Sequence, residues 1–561
     1  MSTRRGRTHE ADSGKRPLAA YFTQRDIMSR FFSLGASLAL LLGLCLPPPS
    51  AASEPAAECG RLTALRPANG AELTAAAIED RGDERGPRCV VRGRIVTSPR
   101  STINFRVDLP ATARWSGDLT FIGGGGFDGL VPTEERYWKQ ILLFLGRDGP
   151  LLWTSAVVSS DSGHQGKGAA PSHDFSWALD NPGAIANHAA EANHLVLGAA
   201  ADIVRDYYGK AARHRYMVGH SNGGRAGIMA AQRYPQDYDG ILSFAPAISQ
   251  QAFAANLVPF YQYVYASPDH WVSPEQTVLY ERAQLAACDT LDGLADGVIS
   301  RPSACRYDPA PLICPPGISA GPTCLSEGQA ESIRRVFADK YVDVPLANGM
   351  IGYPAWGRGA ESAEFKYIFG SSFVARDGTD FVFADNIVRY GIVGDPNASI
   401  MTHDPVKYRD RYLALSTQID ATDPDLSAFA ARGGKLIVWY GTSDDCVSFA
   451  QFARYYESVK SRLGNRMNGF ARFYVSPALT HLNRGPGANR FDLLRTLHGW
   501  VEKDASPGPV VATRAADANT GLPAIARPLC LYGHYPRYKG RGDPARAESF
   551  ECAPDRPEAK P

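Results

Sequence analysis

Apolar residues along this chain fall into short unbroken runs and longer periodic ones. The short runs read as buried strands: Ile103–Val107; Leu119-Thr120-Phe121-Ile122, which passes straight into the glycines at 123–126; Leu152–Ser159, which ends at Asp161-Ser162-Gly163-His164; and Tyr216-Met217-Val218. From Pro182 to Tyr208 apolar side chains recur at Ile185, Ala189, Leu195, Leu197, Ile203 and Val204, which predicts a long helix, and a second helix follows from about Gly224 to Arg233. Strand, glycine turn, strand, helix, strand, helix is the alternation of a parallel sheet with crossover helices, an α/β fold. Two later strands, Gly434–Tyr440 and Phe470–Val475, and a closing helix, Phe491–Val501, return to the same pattern.

Between these two stretches, over residues 252–430, the pattern becomes irregular, rich in Pro and Gly and cysteine-bearing. An insertion of roughly 180 residues is tolerated where a chain leaves a sheet at its surface, so this segment is expected to be a lid domain. The core is then split into residues 53–251 and 431–561, behind an N-terminal extension at 1–52. Within that extension the apolar run 31–46 is too short to span a bilayer and is followed by Pro47-Pro48-Pro49 and the small residues Ser50, Ala51 and Ala52. It reads as a secretory signal peptide, with Met28 as the expected start and a secreted or periplasmic product that keeps no stable membrane association after cleavage. A membrane anchor is the alternative. Lipid attachment at Cys45 is disfavoured because Leu44 is bulky where such processing needs a small residue.

Composition narrows the partners. Lys+Arg 59 against Asp+Glu 58 gives a net charge of +1, which argues against a nucleic-acid or anionic-membrane surface and for a small or neutral partner. Outside the signal, eight cysteines form four sequence-local pairs: Cys59 and Cys89, Cys288 and Cys305, Cys314 and Cys324, Cys530 and Cys552. Bridges are the natural state of such cysteines in an oxidising compartment, each worth about 2–4 kcal/mol, although spacing alone does not fix connectivity. Cys446 is left over.

The segment Gly219-His220-Ser221-Asn222-Gly223 matches G-x-S-x-G, follows a strand and precedes a helix, which is the setting of a nucleophile elbow. A serine hydroxyl needs a base, and the base an orienting carboxylate. The strand ending at Tyr440 runs into Gly441-Thr442-Ser443-Asp444-Asp445, and the strand ending at Val475 runs into Ser476-Pro477-Ala478-Leu479-Thr480-His481. Both lie past the carboxyl ends of strands, where sites on such sheets form. Ser221, Asp444 and His481 are the candidate triad, with Asp445 a rival carboxylate and His220 a rival base. The loop Gly123–Gly129 lacks the Lys of a phosphate loop and suits an oxyanion hole, one of its N–H groups acting with that of Asn222. In the insertion, Cys288-Asp289-Thr290-Leu291-Asp292-Gly293-Leu294-Ala295-Asp296-Gly297-Val298 brings hard oxygen ligands together at a density that suits Ca²⁺, without the terminal Glu of an EF-hand.

These residues resemble the tannase/feruloyl esterase family of α/β-hydrolases, and within it the bacterial mono(2-hydroxyethyl) terephthalate hydrolases. The likeness rests on Gly219–Arg225 with Arg233-Tyr234-Pro235 and Tyr238-Asp239-Gly240-Ile241, the C-D-x-x-D-G-x-x-D-G-x-I loop, and Asp425–Phe429 through Lys435. It continues through Gly485-Pro486-Gly487, Arg527–Cys530 and Arg537–Gly540. The resemblance implies an α/β-hydrolase fold with a large inserted lid. It also implies Ser221, Asp444 and His481 as the triad, oxyanion donors at Gly126 and Asn222, and structural Ca²⁺ held by Asp289, Asp292, Asp296 and the carbonyls of Leu294 and Val298. The implied activity is that of a serine carboxylesterase on small aromatic esters of feruloyl, galloyl or terephthalate type. A calcium-stabilised homologue without catalysis is the rival from another class, and a peptidase on the same scaffold a third.

One departure bears on that expectation. Members of the family usually carry Cys immediately before the nucleophile and Cys immediately after the catalytic His, joined in a bridge. Here those positions are His220 and Leu482, and the glycine usual before the His is Thr480. Looser positioning of His481 is expected, with activity retained.

Overall fold

The computed structural model describes residues 54–133, 139–145 and 149–555; the expected signal peptide and Cys45 lie outside them. The chain-central strands β4 (Asp118–Ile122), β5 (Ala156–Ser160), β6 (His214–His220), β7 (Gly240–Phe244), β8 (Lys435–Gly441) and β9 (Ala471–Ser476) run parallel in the order β5-β4-β6-β7-β8-β9. Antiparallel strands extend both edges. β1 (Glu72–Glu79), β2 (Arg88–Ser98) and β3 (Ser101–Pro110) add beyond β5, and β10 (Val510–Arg514) and β11 (Ile525–Leu531) beyond β9, giving eleven strands among the described residues. A separate hairpin pairs β12 (His534–Tyr538) with β13 (Phe550–Pro554).

The parallel strands read as unbroken apolar runs because both of their faces are covered. Leu436, Val438 and Tyr440 of β8 pack on one side with Met217, Ile241 and Phe473. The alternate residues Ile437 and Trp439 pack on the other with Val218, Leu242 and Tyr474. Helices Ala192–Tyr208, Asn222–Arg233 and Phe449–Leu463 cover the first face, and helix Leu493–Lys503, through Leu494, Leu497 and Trp500, covers the second.

Two elements differ from the sequence reading. The run beginning at Leu152 is helical over Gly149–Thr154 and becomes β5 only at Ala156; an apolar run without alternation does not distinguish a buried helix end from a strand. The Pro182–Tyr208 helix contains a π turn at Asn187–Glu191, where the carbonyls of His188 and Ala189 accept from the buried guanidinium of Arg225 at 2.7 and 3.0 Å.

Between β7 and β8 the chain makes its long excursion, with a core of its own around Phe253, Leu257, Phe260, Tyr261, Trp356 and Phe369. Disulfides Cys288–Cys305 and Cys314–Cys324 staple short loops in it. Cys59–Cys89 ties the N-terminal helix Glu54–Gly60 to β2, and Cys530–Cys552 ties β11 to β13. Cys446 is free of a bridge. Among the described residues no helix is long and apolar enough to cross a membrane.

Candidate active site

The chain passes from β4 outward to β5 and returns to β6 on the other side of β4, so a crevice opens at the carboxyl ends of β4 and β6. The glycine loop leaves β4 into this crevice and Ser221 leaves β6 into it. Ser221 sits at φ 59°, ψ −120°, a region disfavoured for a residue with a Cβ. The strained turn is held by Ser221 N–H donating to Phe244 O at 2.9 Å and by the amides of Arg225 and Ala247 donating to Ser221 O at 2.9 and 3.1 Å. Close approach explains its glycines: a Cβ on Gly219 would lie 2.3 Å from the Gly223 carbonyl, and one on Gly223 would lie 2.7 Å from the carbonyl oxygens of Gly123 and Gly124.

The loops after β8 and β9 meet beside this turn. Asp444, fully buried, places Oδ2 2.8 Å from His481 Nδ1, while its Oδ1 accepts the amides of Cys446 and Val447 at 3.1 and 2.7 Å. A carboxylate on Nδ1 fixes the proton there and leaves Nε2 as the basic nitrogen of the ring. The Asp444 carboxylate thus contacts the imidazole directly. His481 and Ser221 line one cavity of about 500 Å³. His220, the rival base, is buried with Nε2 2.8 Å from the carbonyl oxygen of His481.

Gly126, Asn222 and Ser221 together line a second, apolar slot. Gly126 has φ +60°, and a Cβ there would collide with Ser172 O at 2.3 Å. Asn222 is the first residue of its helix, whose amide has no partner within the helix. The walls of the slot include Phe253, Tyr353, Phe383 and Ile387, all from the insertion.

Two residues without a role in the sequence reading organise this region. The buried carboxylate of Asp128 accepts from the side-chain amide of Asn222 and the hydroxyl of Ser162, joining the glycine loop to the helix start. Burial lifts this carboxyl to about 6, against those hydrogen bonds and the charge of Arg225. Arg225, also fully buried, donates from Nε to Asn222 Oδ1 at 2.6 Å. The available signals were an Asp inside a glycine run and an Arg in an otherwise apolar helix.

In the insertion, the acidic loop is folded around its own amides. Asp289 accepts from Gly297 N at 3.1 Å, Asp292 from Leu294 N at 3.0 Å and Asp296 from Val298 N at 3.1 Å. Asp296 also pairs with Arg527. Asp292 is buried, its Oδ2 makes no hydrogen bond of good geometry, and burial, reinforced by Asp296 and Asp289 and opposed by the Ser300 hydroxyl and the Leu294 amide, pushes its carboxyl up to about 6. A buried carboxylate oxygen without a well-formed hydrogen bond, among hard oxygen donors, fits a Ca²⁺ ligand set. The three carboxylates stand wider apart than the group that, among the described residues, brings its ligand atoms within 4.8 Å: Asp118, His498 and Glu502, at the far end of the sheet where β4 begins. There His498 Nδ1 lies 3.3 Å from Glu502 and Asp118 accepts from Ser116 at 2.8 Å, as in an ion-paired cluster.

Comparison with known proteins places these features in a family. Residues 89–553 match the family described as tannase and feruloyl esterase. An uncharacterized esterase of Agrobacterium fabrum is 32% identical over 87% of this chain and 90% of its own. The mono(2-hydroxyethyl) terephthalate hydrolase of Piscinibacter sakaiensis is 30% identical over 89% of each chain, and a probable feruloyl esterase of Arthroderma benhamiae is 31% identical over 80% of this chain and 82% of its own. The crystal structure of feruloyl esterase B from Aspergillus oryzae superposes with a TM-score of 0.75 at 23% identity, covering 89% of this chain and all of the other, which establishes the shared fold. With an α/β-hydrolase sheet and a family match running from β2 to β13, this chain belongs to the tannase and feruloyl esterase family of carboxylic ester hydrolases.

Proposed function

We propose that the protein is a secreted serine esterase that cleaves esters of neutral aromatic acids through an acyl-enzyme. Ser221 Oγ attacks the ester carbonyl carbon while His481 Nε2 takes the hydroxyl proton, and Asp444 holds the imidazole and stabilises its positive charge. The N–H groups of Gly126 and Asn222 receive the oxyanion. Collapse breaks the bond to the alcohol oxygen, which leaves with the proton from His481. Water then repeats the sequence on the acyl-serine and releases the acid. The observation that carries this reading is the 2.8 Å contact of Asp444 with His481, whose ring shares a cavity wall with a serine on a strained elbow.

The insertion acts in this reading as a lid whose aromatic side chains receive the acyl ring. Among the described residues lining the slot and the wider cavity there is no Lys or Arg. That favours feruloyl- or galloyl-type rings over a terephthalate monoester, whose second carboxylate would want a cation. Ca²⁺ on the Asp289–Val298 loop is structural, being carried by the lid. Four disulfides support an oxidising compartment and hence secretion.

The test is hydrolysis of methyl ferulate, methyl gallate and a terephthalate monoester by the purified chain and by Ser221→Ala. Loss of turnover in the variant supports the serine mechanism, and equal rates in both proteins reject it.

A further inference from the structure

Three features place His220 in an unusual position. It is the last residue of β6, directly before the nucleophile, and 1% exposed. Its Nε2 lies 2.8 Å from the carbonyl oxygen of His481. Its ring is held between that of His481, with centroids 4.4 Å apart, and that of Phe144, stacked at 4.6 Å. A carbonyl only accepts, so the proton of this imidazole resides on Nε2, and the nitrogen is committed to the histidine loop rather than to base chemistry.

We propose that His220 is a positioning residue: its Nε2–H to His481 O bond ties the nucleophile strand to the histidine loop, doing with a hydrogen bond what the family's usual bridge between positions 220 and 482 does with sulfur. The proposal rests on the serine-esterase reading above. His220, His481 and Leu482 line the same cavity, so the tether acts at the site itself.

The rest of the loop is built to exploit that anchor. The Thr480 carbonyl accepts the amide of Asn483 at 3.0 Å, and the Thr480 hydroxyl accepts the amide of Arg484 at 3.2 Å. Asn483 Nδ2 donates to Leu143 O at 2.9 Å, on the same short helix, Lys139–Leu145, that supplies Phe144. The turn carrying His481 is thus closed on itself and docked on one helix. His220 connects it to β6. The departures from the family pattern at 220 and 480 both supply hydrogen bonds to this loop, which counts against the view that they mark a chain that has lost its chemistry.

The deciding experiment compares kcat and KM on methyl ferulate for wild type, His220→Phe, His220→Gln, the double variant His220→Cys/Leu482→Cys, and Ser221→Ala. His220→Phe keeps an aromatic ring and removes the donor; a fall in kcat on the order of 10²-fold is expected, with KM within about threefold, as for a displaced base. His220→Gln, whose amide reaches as far as Nε2, should keep kcat within about tenfold of wild type. The double variant, once mass analysis shows its bridge, should match wild type. Wild-type kcat in His220→Phe overturns the proposal, as does a bridged double variant as slow as His220→Phe. If His220→Phe does not fold, the glutamine and double variants still decide. Full activity of Ser221→Ala would instead reject the underlying serine mechanism, a separate outcome.

Discussion

The side chains of Asp128 and Asn222, on two different elements, are hydrogen-bonded to each other, and Asp128 lines the same cavity as Ser221. Asp128 belongs to the loop that carries Gly126, and Asn222 opens the helix that follows the serine, so this one contact sets the spacing of the two amides assigned to the oxyanion.

Asp128→Ala should therefore act on turnover rather than on substrate binding. Displacing one oxyanion donor by about 1 Å costs on the order of 10²-fold in rate. We expect a kcat loss of that order with little change in KM, measured by steady-state hydrolysis of an aromatic ester. A change confined to KM would place Asp128 on the substrate instead.

The aromatic wall makes a specificity prediction. Phe383 lines both cavities that meet at Ser221, packing edge-on against Phe127 with ring centroids 4.9 Å apart. Removing its ring takes contact from an aromatic acyl group that a small aliphatic one never makes. Phe383→Ala should lower kcat/KM for methyl ferulate by about tenfold while an acetate ester changes by less than about threefold. Equal losses on both esters would mean that the ring serves folding rather than recognition.

What the sequence disclosed follows the physics of burial. β4, β6, β8 and β9 announce themselves because strands covered on both faces carry few polar residues. β1 and β2 do not: β1, at the sheet edge, buries only Leu73, and β2 carries Arg88, Arg92 and Arg94, which pair across strands with acidic neighbours or backbone carbonyls. The elbow at Ser221 is local and legible, whereas the choice between Asp444 and Asp445 turns on which of two adjacent carboxylates reaches a ring brought in from the next strand's loop. The Asp128–Asn222 contact joins residues 94 positions apart. The partner of His220 is a backbone carbonyl, which has no signature in sequence at all.

Ca²⁺ on the Asp289–Val298 loop would stabilise the folded chain by mass action, about 2.7 kcal/mol at a concentration a hundredfold above its Kd. Excess EDTA should lower Tm, and added CaCl₂ should restore it. Asp292→Asn, which neutralises the buried carboxylate of the loop, should start from a lower Tm and respond less to either reagent. An identical Tm with and without EDTA would remove the metal from the account of this loop. The more closely set cluster at Asp118, His498 and Glu502 provides the control, because Glu502→Gln should leave the calcium response unchanged.

Asp420 predicts how stability depends on pH. It is fully buried at the end of helix Arg409–Ile419, accepting from the Ser416 hydroxyl at 2.7 Å, and burial pushes its carboxyl from an ordinary 3.8 to about 7 despite the nearby charge of Arg225. The folded chain thus holds a proton that the unfolded chain releases. That contribution is fully present below about 3.8 and is lost as pH rises through about 7. Asp420→Asn has no such proton to lose, and its amide oxygen still accepts from Ser416. The Tm of the variant minus that of wild type should accordingly become more positive as pH rises from 5 to about 7 and level off toward pH 8. Thermal melts of both proteins across that range measure the difference directly, and a difference independent of pH would show that Asp420 is ionised to the same extent in the folded and unfolded chain.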